Sequence, residues 1–275
     1  MRLVSLFSFG IKPFTVEANR FYQRVGRFFA TVFLLFNKRD FKGLENKIRD
    51  GPNIIVTNHP AADKEMIGPV KDVAIIFSAY DMQPNPRQLS FLASYEVFSK
   101  KEFVGTISKH LHPIFRILLK PLIQLFVKYA IPRIKALGAI PVLSSEFGGK
   151  RETLERIKEC LREGRVVVFL QSNVLHQSEI HPYLGKFRNG AAFIAYELHR
   201  MYGMNVPVTP ISICGTEGFI RPFKKIHVNI GKSMFIKSFI KAKSPVRSFT
   251  FALEARVRDL LEESLDLKRL AHTQE

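Results

Sequence analysis

Acidic residues are scarce in this sequence, in which 24 aspartates and glutamates stand against 42 lysines and arginines, for a formal net charge of +18. A protein this basic usually has a partner of opposite sign, and nucleic acid and anionic membrane surfaces are the two common ones. The basic residues form no tail and are interleaved with long apolar side chains, which favours lipid headgroups over a nucleic-acid groove. We therefore expect an anionic membrane surface as the partner, and no nucleic acid.

Cysteines and long apolar runs are also few. Cys160 and Cys214 fit neither a disulfide framework nor a metal site, so we expect two reduced thiols in a cytosol-facing protein, and no metal. No stretch reaches the 18 or more uncharged apolar residues of a membrane-spanning helix. Residues 1–7 look somewhat like a signal peptide, but a glycine, a lysine and a proline soon interrupt them. We expect this segment to be retained.

The rest of the sequence alternates strand-like and helix-like segments. Its 275 residues are 46% hydrophobic, enough for one large α/β domain with a sizeable core. The predicted strands are 53–56, 89–93, 138–142, 165–170, 206–213 and 226–230, and the predicted helices are 151–162, 190–201 and 245–270. Residues 40–46 are predicted to form a turn, and residues 73–77 cannot be assigned by periodicity. The predicted fold is a single mixed, largely parallel sheet flanked by helices, spanning residues 41–275 after an N-terminal region, 1–40.

Two further segments combine basic residues with long apolar runs. In residues 14–37 and again in residues 111–135, polar side chains recur every three or four positions, so each set lies on one side of a helix. The first set is Arg20, Arg24 and Arg27, and the second is Arg116, Lys120, Gln124 and Lys128. Both segments are predicted to be amphipathic, membrane-associating helices. Ordinary packed helices are the alternative.

A histidine and an aspartate follow the first predicted strand. Residues 57–63 read Thr-Asn-His-Pro-Ala-Ala-Asp, so Asp63 comes four positions after His59. Residues four apart share one face of a helical turn, which allows the two side chains to touch. A neutral imidazole accepts a proton near pH 7, and a carboxylate on its other nitrogen fixes the tautomer. The pattern predicts a general base, His59, oriented by Asp63, although a helix-start residue beside a surface carboxylate gives the same spacing.

Six segments in order resemble the glycerolipid acyltransferase superfamily, which acylates lysophosphatidate and related lysophospholipids. They are Gly43-Leu44-Glu45-Asn46 before Asn58-His59-Pro60, residues 91–98, Gly138-Ala139-Ile140-Pro141-Val142, Val167-Val168-Phe169-Leu170-Gln171-Ser172, residues 186–192 and residues 206–211. The likeness covers roughly residues 41–232. It implies that His59 removes the proton from an acceptor hydroxyl, which attacks the thioester of acyl-CoA or acyl-carrier protein without forming an acyl-enzyme.

The resemblance also implies the partners of the protein. These are an acyl thioester donor as co-substrate, a lipid acceptor and no further cofactor, and the expected location is the cytoplasmic face of a membrane. Asn58 is carried over with His59 as a substrate-binding residue.

The sequence departs from the family pattern in three ways. The spacing is His-x3-Asp where the family has His-x4-Asp, so Lys64 occupies the formal aspartate position. Ser144 stands where an arginine normally grips the acceptor phosphate, and four nearby basic residues are candidates to replace that charge: Lys150, Arg151, Lys186 and Arg188. Gln171 and Ser172 replace Glu-Gly of the third motif; glutamine keeps the shape of glutamate without its charge. The identity of the acceptor is therefore left open, and it includes acceptors other than lysophosphatidate.

Other functions remain as alternatives. A protein of the same fold with altered motifs would bind lipid without transferring acyl groups. The His-x3-Asp string also occurs in the plant alcohol-acylating family, where glycine usually follows, but here Lys64 follows. A serine hydrolase at Ser172 is set aside, because the Gly-x-Ser-x-Gly elbow is missing.

Overall fold

The computed structural model describes residues 39–60, 68–80, 88–109, 112–142, 149–171, 184–216 and 225–273, together with Arg24. Seven strands are β1 (Arg39–Lys42), β2 (Asn53–Asn58), β3 (Leu89–Ser94), β4 (Ala139–Val142), β5 (Val166–Gln171), β6 (Val208–Cys214) and β7 (Ile226–Ile230). Six helices are α1 (Gly68–Tyr80), α2 (Lys100–Lys109), α3 (Pro113–Ala136), α4 (Gly149–Arg162), α5 (Gly190–Tyr202) and α6 (Pro245–Thr273).

The strands form one sheet in the order β1-β7-β6-β2-β5-β3-β4. Every neighbouring pair is parallel except β6 and β7, which are antiparallel. The sheet is therefore mixed and largely parallel, as predicted. Its central strand, β2, is buried along its whole length because it lies between β5 and β6, and helices cover both faces.

Two apolar cores lie on opposite faces of the sheet. One joins the sheet to α4, α5 and α6 through residues such as Ile157, Ile194 and Phe249, which are almost fully buried. The other joins it to α1 through Ile75, Ile76 and Phe77. The run 73–77 has no readable period because residues 74–79 are all buried within α1.

The predicted turn at residues 40–46 is wrong in its first half. Arg39–Lys42 form β1, which pairs in parallel with β7, and a single turn of 3-10 helix follows at Leu44–Asn46. Four residues are too few to show an alternating pattern. The pairing with β7, more than 180 residues away in sequence, makes this segment a strand.

The other predicted strands and helices are found within a few residues of their expected ends. The basic segment 111–135 corresponds to α3, a continuous helix that contains Pro121 and Pro132. The predicted helix at 14–37 lies outside the described residues, apart from Arg24, which is helical. Within the described part of the chain, no helix combines the length and the apolar character needed to cross a membrane.

Candidate active site

The candidate site lies at the carboxyl end of β2. The last residue of this strand, Asn58, is paired with Gln171, the last residue of β5, and β6 runs alongside on the other edge. The chain passes from β5 to β6 across β2, so the strand order reverses here. Crevices at the carboxyl ends of parallel strands, next to such a reversal, are where open α/β sheets bind ligands.

Asn58 fixes the end of β2 to β6. Its side chain is fully buried, with Nδ2 donating to the carbonyl oxygen of Ile213 at 2.8 Å and Oδ1 accepting from the Ile213 amide at 2.8 Å. Both halves of the amide are therefore used in the strand-to-strand connection. This arrangement holds the backbone at the point where His59 leaves the sheet.

His59 forms a close pair with Asp72 of α1. Its Nδ1 lies 2.5 Å from Oδ2 of Asp72, and the two side chains are only 8% and 0% exposed. Because a carboxylate can only accept, Nδ1 is the nitrogen that carries the proton. Nε2 is then left with its lone pair, which suits it to take a proton from a bound hydroxyl.

The segment 186–189 is attached to the carboxyl end of β5, the strand next to β2. The Arg188 amide donates to Oε1 of Gln171 at 3.0 Å, and the Phe187 amide donates to Oε2 of Glu254 on α6 at 3.0 Å. Gln171, which is only 7% exposed, thus ties the segment to the strand next to His59.

This segment lines a basic cavity of about 480 Å³ together with the start of α6. The lining residues are Lys186, Phe187, Arg188, Asn189, Arg247, Thr250, Phe251 and Glu254. The guanidinium of Arg247 lies over the ring of Phe251, 5.5 Å from its centroid. The Glu254 carboxylate, the one acidic group of the lining, is already engaged by the Phe187 amide and by Arg258. The cavity therefore offers an excess of positive charge to a ligand.

The remaining residues predicted for the site are not gathered there in the described structure. Asp63, Ser144 and Ser172 lie outside the described residues. Lys150 and Arg151 belong to the first turn of α4, which follows β4. That strand is three positions away from β2, or about 14 Å at the usual spacing of neighbouring strands.

Sequence reasoning missed two residues of this region, Asp72 and Arg247. The sequence does hold a signal for Asp72, which immediately precedes the apolar run 73–77. A carboxylate buried beside apolar residues needs a partner that compensates its charge. No comparable signal marks Arg247, which reaches the cavity only because α6 packs beside the segment 186–189. Among the described residues, no cluster of three or more histidine, cysteine, aspartate or glutamate side chains is suited to hold a metal ion.

Comparisons with known proteins bear on the fold and the family of this chain. A solved structure with a similar fold is the 1-acyl-sn-glycerophosphate (LPA) acyltransferase PlsC from Thermotoga maritima, with a TM-score of 0.50 and 18% sequence identity, over 88% of this chain and 79% of that one. No curated protein sequence gives a significant match. A family model described as acyltransferase matches residues 38–214, more than half of the chain. The protein belongs to the acyltransferase family, within the glycerolipid acyltransferase superfamily that its sequence motifs indicate.

Proposed function

We propose that this protein is a membrane-associated O-acyltransferase that moves a fatty acyl group from an acyl thioester to a hydroxyl of a lysophospholipid or related glycerolipid. The observation that carries the proposal is the 2.5 Å contact between His59 Nδ1 and Asp72 at the end of the central strand. The similar fold of PlsC, a 1-acyl-sn-glycerophosphate (LPA) acyltransferase, supports the choice of acceptor. The donor is acyl-CoA or acyl-carrier protein, and the expected location is the cytoplasmic face of a membrane.

In the proposed reaction, Nε2 of His59 takes the proton of the acceptor hydroxyl as its oxygen attacks the thioester carbonyl carbon. An ester bond forms and the carbon–sulfur bond breaks. The departing thiolate then takes the proton back from the imidazolium and leaves as a thiol. Asp72 holds the imidazole in place and stabilises its positive charge. The orienting role of Asp63 stays a prediction. It is an alternative to the role proposed for Asp72, because both carboxylates would bind the same nitrogen of His59.

The basic cavity is the proposed subsite for the phosphate of a substrate. The family has an arginine for the acceptor phosphate where this chain has Ser144. Lys186 and Arg188 are candidates to replace its charge, and Arg247 lies with them on the lining of the cavity. Arginine suits a phosphate because its planar fork makes two parallel hydrogen bonds to the oxygens.

The test is acyl transfer by His59→Asn beside the wild type. Asparagine carries a donor at the position of Nδ1, so the contact with Asp72 is kept and no buried carboxylate is left unpaired, but nothing replaces Nε2. Labelled acyl-CoA and acyl-carrier protein are offered with a panel of lysolipids and glycerol phosphate. We expect label in one product with the wild type, and about a 10²–10⁴-fold lower rate for the variant.

The control is His199→Asn, which removes a half-buried imidazole from the last turn of α5, a residue that neither lines the basic cavity nor belongs to α3. It should leave the rate unchanged, and thermal unfolding should show all three proteins folded. Equal rates for wild type and His59→Asn would contradict the proposal. No product from either donor, with lipid binding retained, would favour the alternative of a lipid-binding protein of the same fold.

A further inference from the structure

Helix α3 exposes far more apolar surface than a helix of a folded core. Eight of its large side chains are between 50% and 78% exposed: Ile114, Phe115, Ile117, Leu118, Leu122, Leu125, Phe126 and Tyr129. We call this set the α3 apolar face. Single exposed apolar residues are normal on protein surfaces, but a contiguous set of this size marks a binding surface.

The face is separate from the surface by which α3 packs onto the protein. Only Ile123 and Val127, one helical turn apart, are buried, and they lie on the side of α3 that meets α2 and β4. At about 100° per residue, the eight exposed side chains span roughly half of the helix circumference, on the opposite side. At 1.5 Å per residue the helix is about 36 Å long, so the face is also extended.

The charges of α3 indicate what covers this face. The helix contains five basic residues, Arg116, Lys120, Lys128, Arg133 and Lys135, and no acidic residue. Lys120 and Lys128 are exposed next to the apolar face. The cationic groups of Lys128 and Arg133 lie 6.0 Å and 5.6 Å from the ring centroid of Tyr129, so cations also flank this aromatic side chain.

These charges select among possible occupants. A second copy of this chain would bring two such helices together, with like charges facing each other. A nucleic acid would neutralise the cations but leave the apolar side chains in water. An anionic bilayer satisfies both, because acyl chains take up the apolar side chains while headgroup phosphates meet lysine and arginine at the interface.

We infer that α3 is the surface by which the protein docks on an anionic lipid bilayer, lying in the interface with its apolar face toward the acyl chains. The inference deepens the proposed function, on which it rests for the reason to approach a membrane. Docking through α3 holds the domain at the surface in which a lipid acceptor is embedded. The helix follows β3 of the same sheet in the chain, so the contact is made by the catalytic domain itself.

The experiment measures binding to sedimenting vesicles that contain about one third anionic phospholipid, by the full chain. One variant is Ile117→Gln, Leu118→Gln, Leu122→Gln together; glutamine keeps helix propensity, and these side chains are at least 62% exposed, so the fold is retained. Its matched control is Met201→Gln with Ile240→Gln, exposed apolar residues on other elements. We expect about a 10-fold or larger loss of vesicle binding for the α3 variant and no change for the control.

A second pair of variants tests the charge. Lys120→Gln with Lys128→Gln should lower binding to anionic vesicles by about 5-fold or more, while Lys237→Gln with Lys241→Gln should change it much less. The difference should vanish on vesicles made only of zwitterionic lipid.

Activity separates this inference from the proposed chemistry. The α3 apolar variant should lose transfer to an acceptor embedded in vesicles and keep transfer to a dispersed short-chain acceptor, whereas His59→Asn should lose both and still bind vesicles. Wild-type vesicle binding by the α3 variant would overturn the inference. So would a change from dimer to monomer in light scattering without any change in vesicle binding, because that result assigns the face to a second copy.

Discussion

At the scale of single residues, Asp72 and Asp63 are the two candidates for orienting His59. Asp72→Asn keeps the size of the buried side chain but removes the charge that would stabilise the imidazolium, so we expect kcat to fall by about 10²–10⁴-fold with KM little changed. Asp63→Asn should leave kcat within about threefold of wild type. Both constants are measured across a range of pH, because loss of orientation also alters the pH profile of kcat. A large loss for Asp63→Asn with none for Asp72→Asn would restore the assignment made from the sequence.

Arg247 is the second residue whose role is open to a direct test. If the basic cavity receives a phosphate, Arg247→Gln removes a charged hydrogen bond, which is typically worth about 1.5–3 kcal/mol, and KM for that substrate should rise about 10-fold or more. Arg256→Gln is the matched control, since Arg256 lies on the same helix, is 39% exposed and pairs with Asp259 outside the cavity.

Measuring KM for donor and acceptor separately shows which of the two carries the phosphate that is bound. An equal KM for Arg247→Gln and Arg256→Gln with every substrate would exclude Arg247 from the subsite. For an acceptor without a phosphate, however, we expect the two variants to have equal KM values, because Arg247 has no charge to bind there.

The aspartate that the structure pairs with His59 illustrates how far the sequence can be read at this scale. His59 itself was predictable, because it follows a buried strand within an Asn-His-Pro string. The buried position of Asp72 could also be read, but its pairing with His59 could not, because Asp72 comes thirteen positions later and the pairing depends on where α1 begins. Spacing rules find partners one helical turn apart, and they miss partners that lie farther apart along the chain.

At the scale of elements, the attachment of β1 gives a prediction about stability. Gly43 follows β1 with a φ of 70°, and a Cβ at this position would collide with the carbonyl oxygen of Ile230, which also accepts a hydrogen bond from Asn46 Nδ2 at 2.8 Å. Gly51 has a similar φ of 73°, but nothing surrounds it. Gly51→Ala should therefore cost only the backbone conformation, about 1–2 kcal/mol, and Gly43→Ala at least about 1–3 kcal/mol more.

Urea unfolding of the two variants measures this difference directly. Equal losses in the free energy of unfolding would mean that the end of β7 moves aside easily, and that the turn after β1 is not a rigid part of the fold.

The elements that were predictable share a physical feature, and so do those that were not. Strands β2, β5 and β6 are apolar on both faces, and a helix such as α4 has one clear apolar face, so composition and periodicity find them. Strand β1 has four residues, and α1 is buried on nearly every side, so neither shows a period. For α3, the sequence predicted the helix, but the exposure of its apolar side requires coordinates.

At the scale of the whole molecule, strand order is what the sequence leaves open. The alternation of strands and helices predicts a largely parallel sheet, but not that β2 lies between β5 and β6. That position brings Gln171 beside Asn58, and through Gln171 the segment 186–189 and the basic cavity. The site thus combines residues from segments that are more than 100 positions apart.

This shared sheet predicts that the domain unfolds as one unit, which the two cysteines can report. Cys160 on α4 and Cys214 on β6 are 2% and 0% exposed in the same apolar core, and burial raises the pKa of the Cys160 thiol, so little reactive thiolate forms in the folded state. Neither should react with a thiol reagent near neutral pH without denaturant. Cys160→Ala and Cys214→Ala leave one thiol each, and the two labelling curves against urea should share one midpoint, equal to that of the loss of helical circular dichroism. Labelling of Cys160 at clearly lower urea than Cys214 would mean that α4 leaves the sheet before the central strands separate, and that the domain does not unfold as one unit.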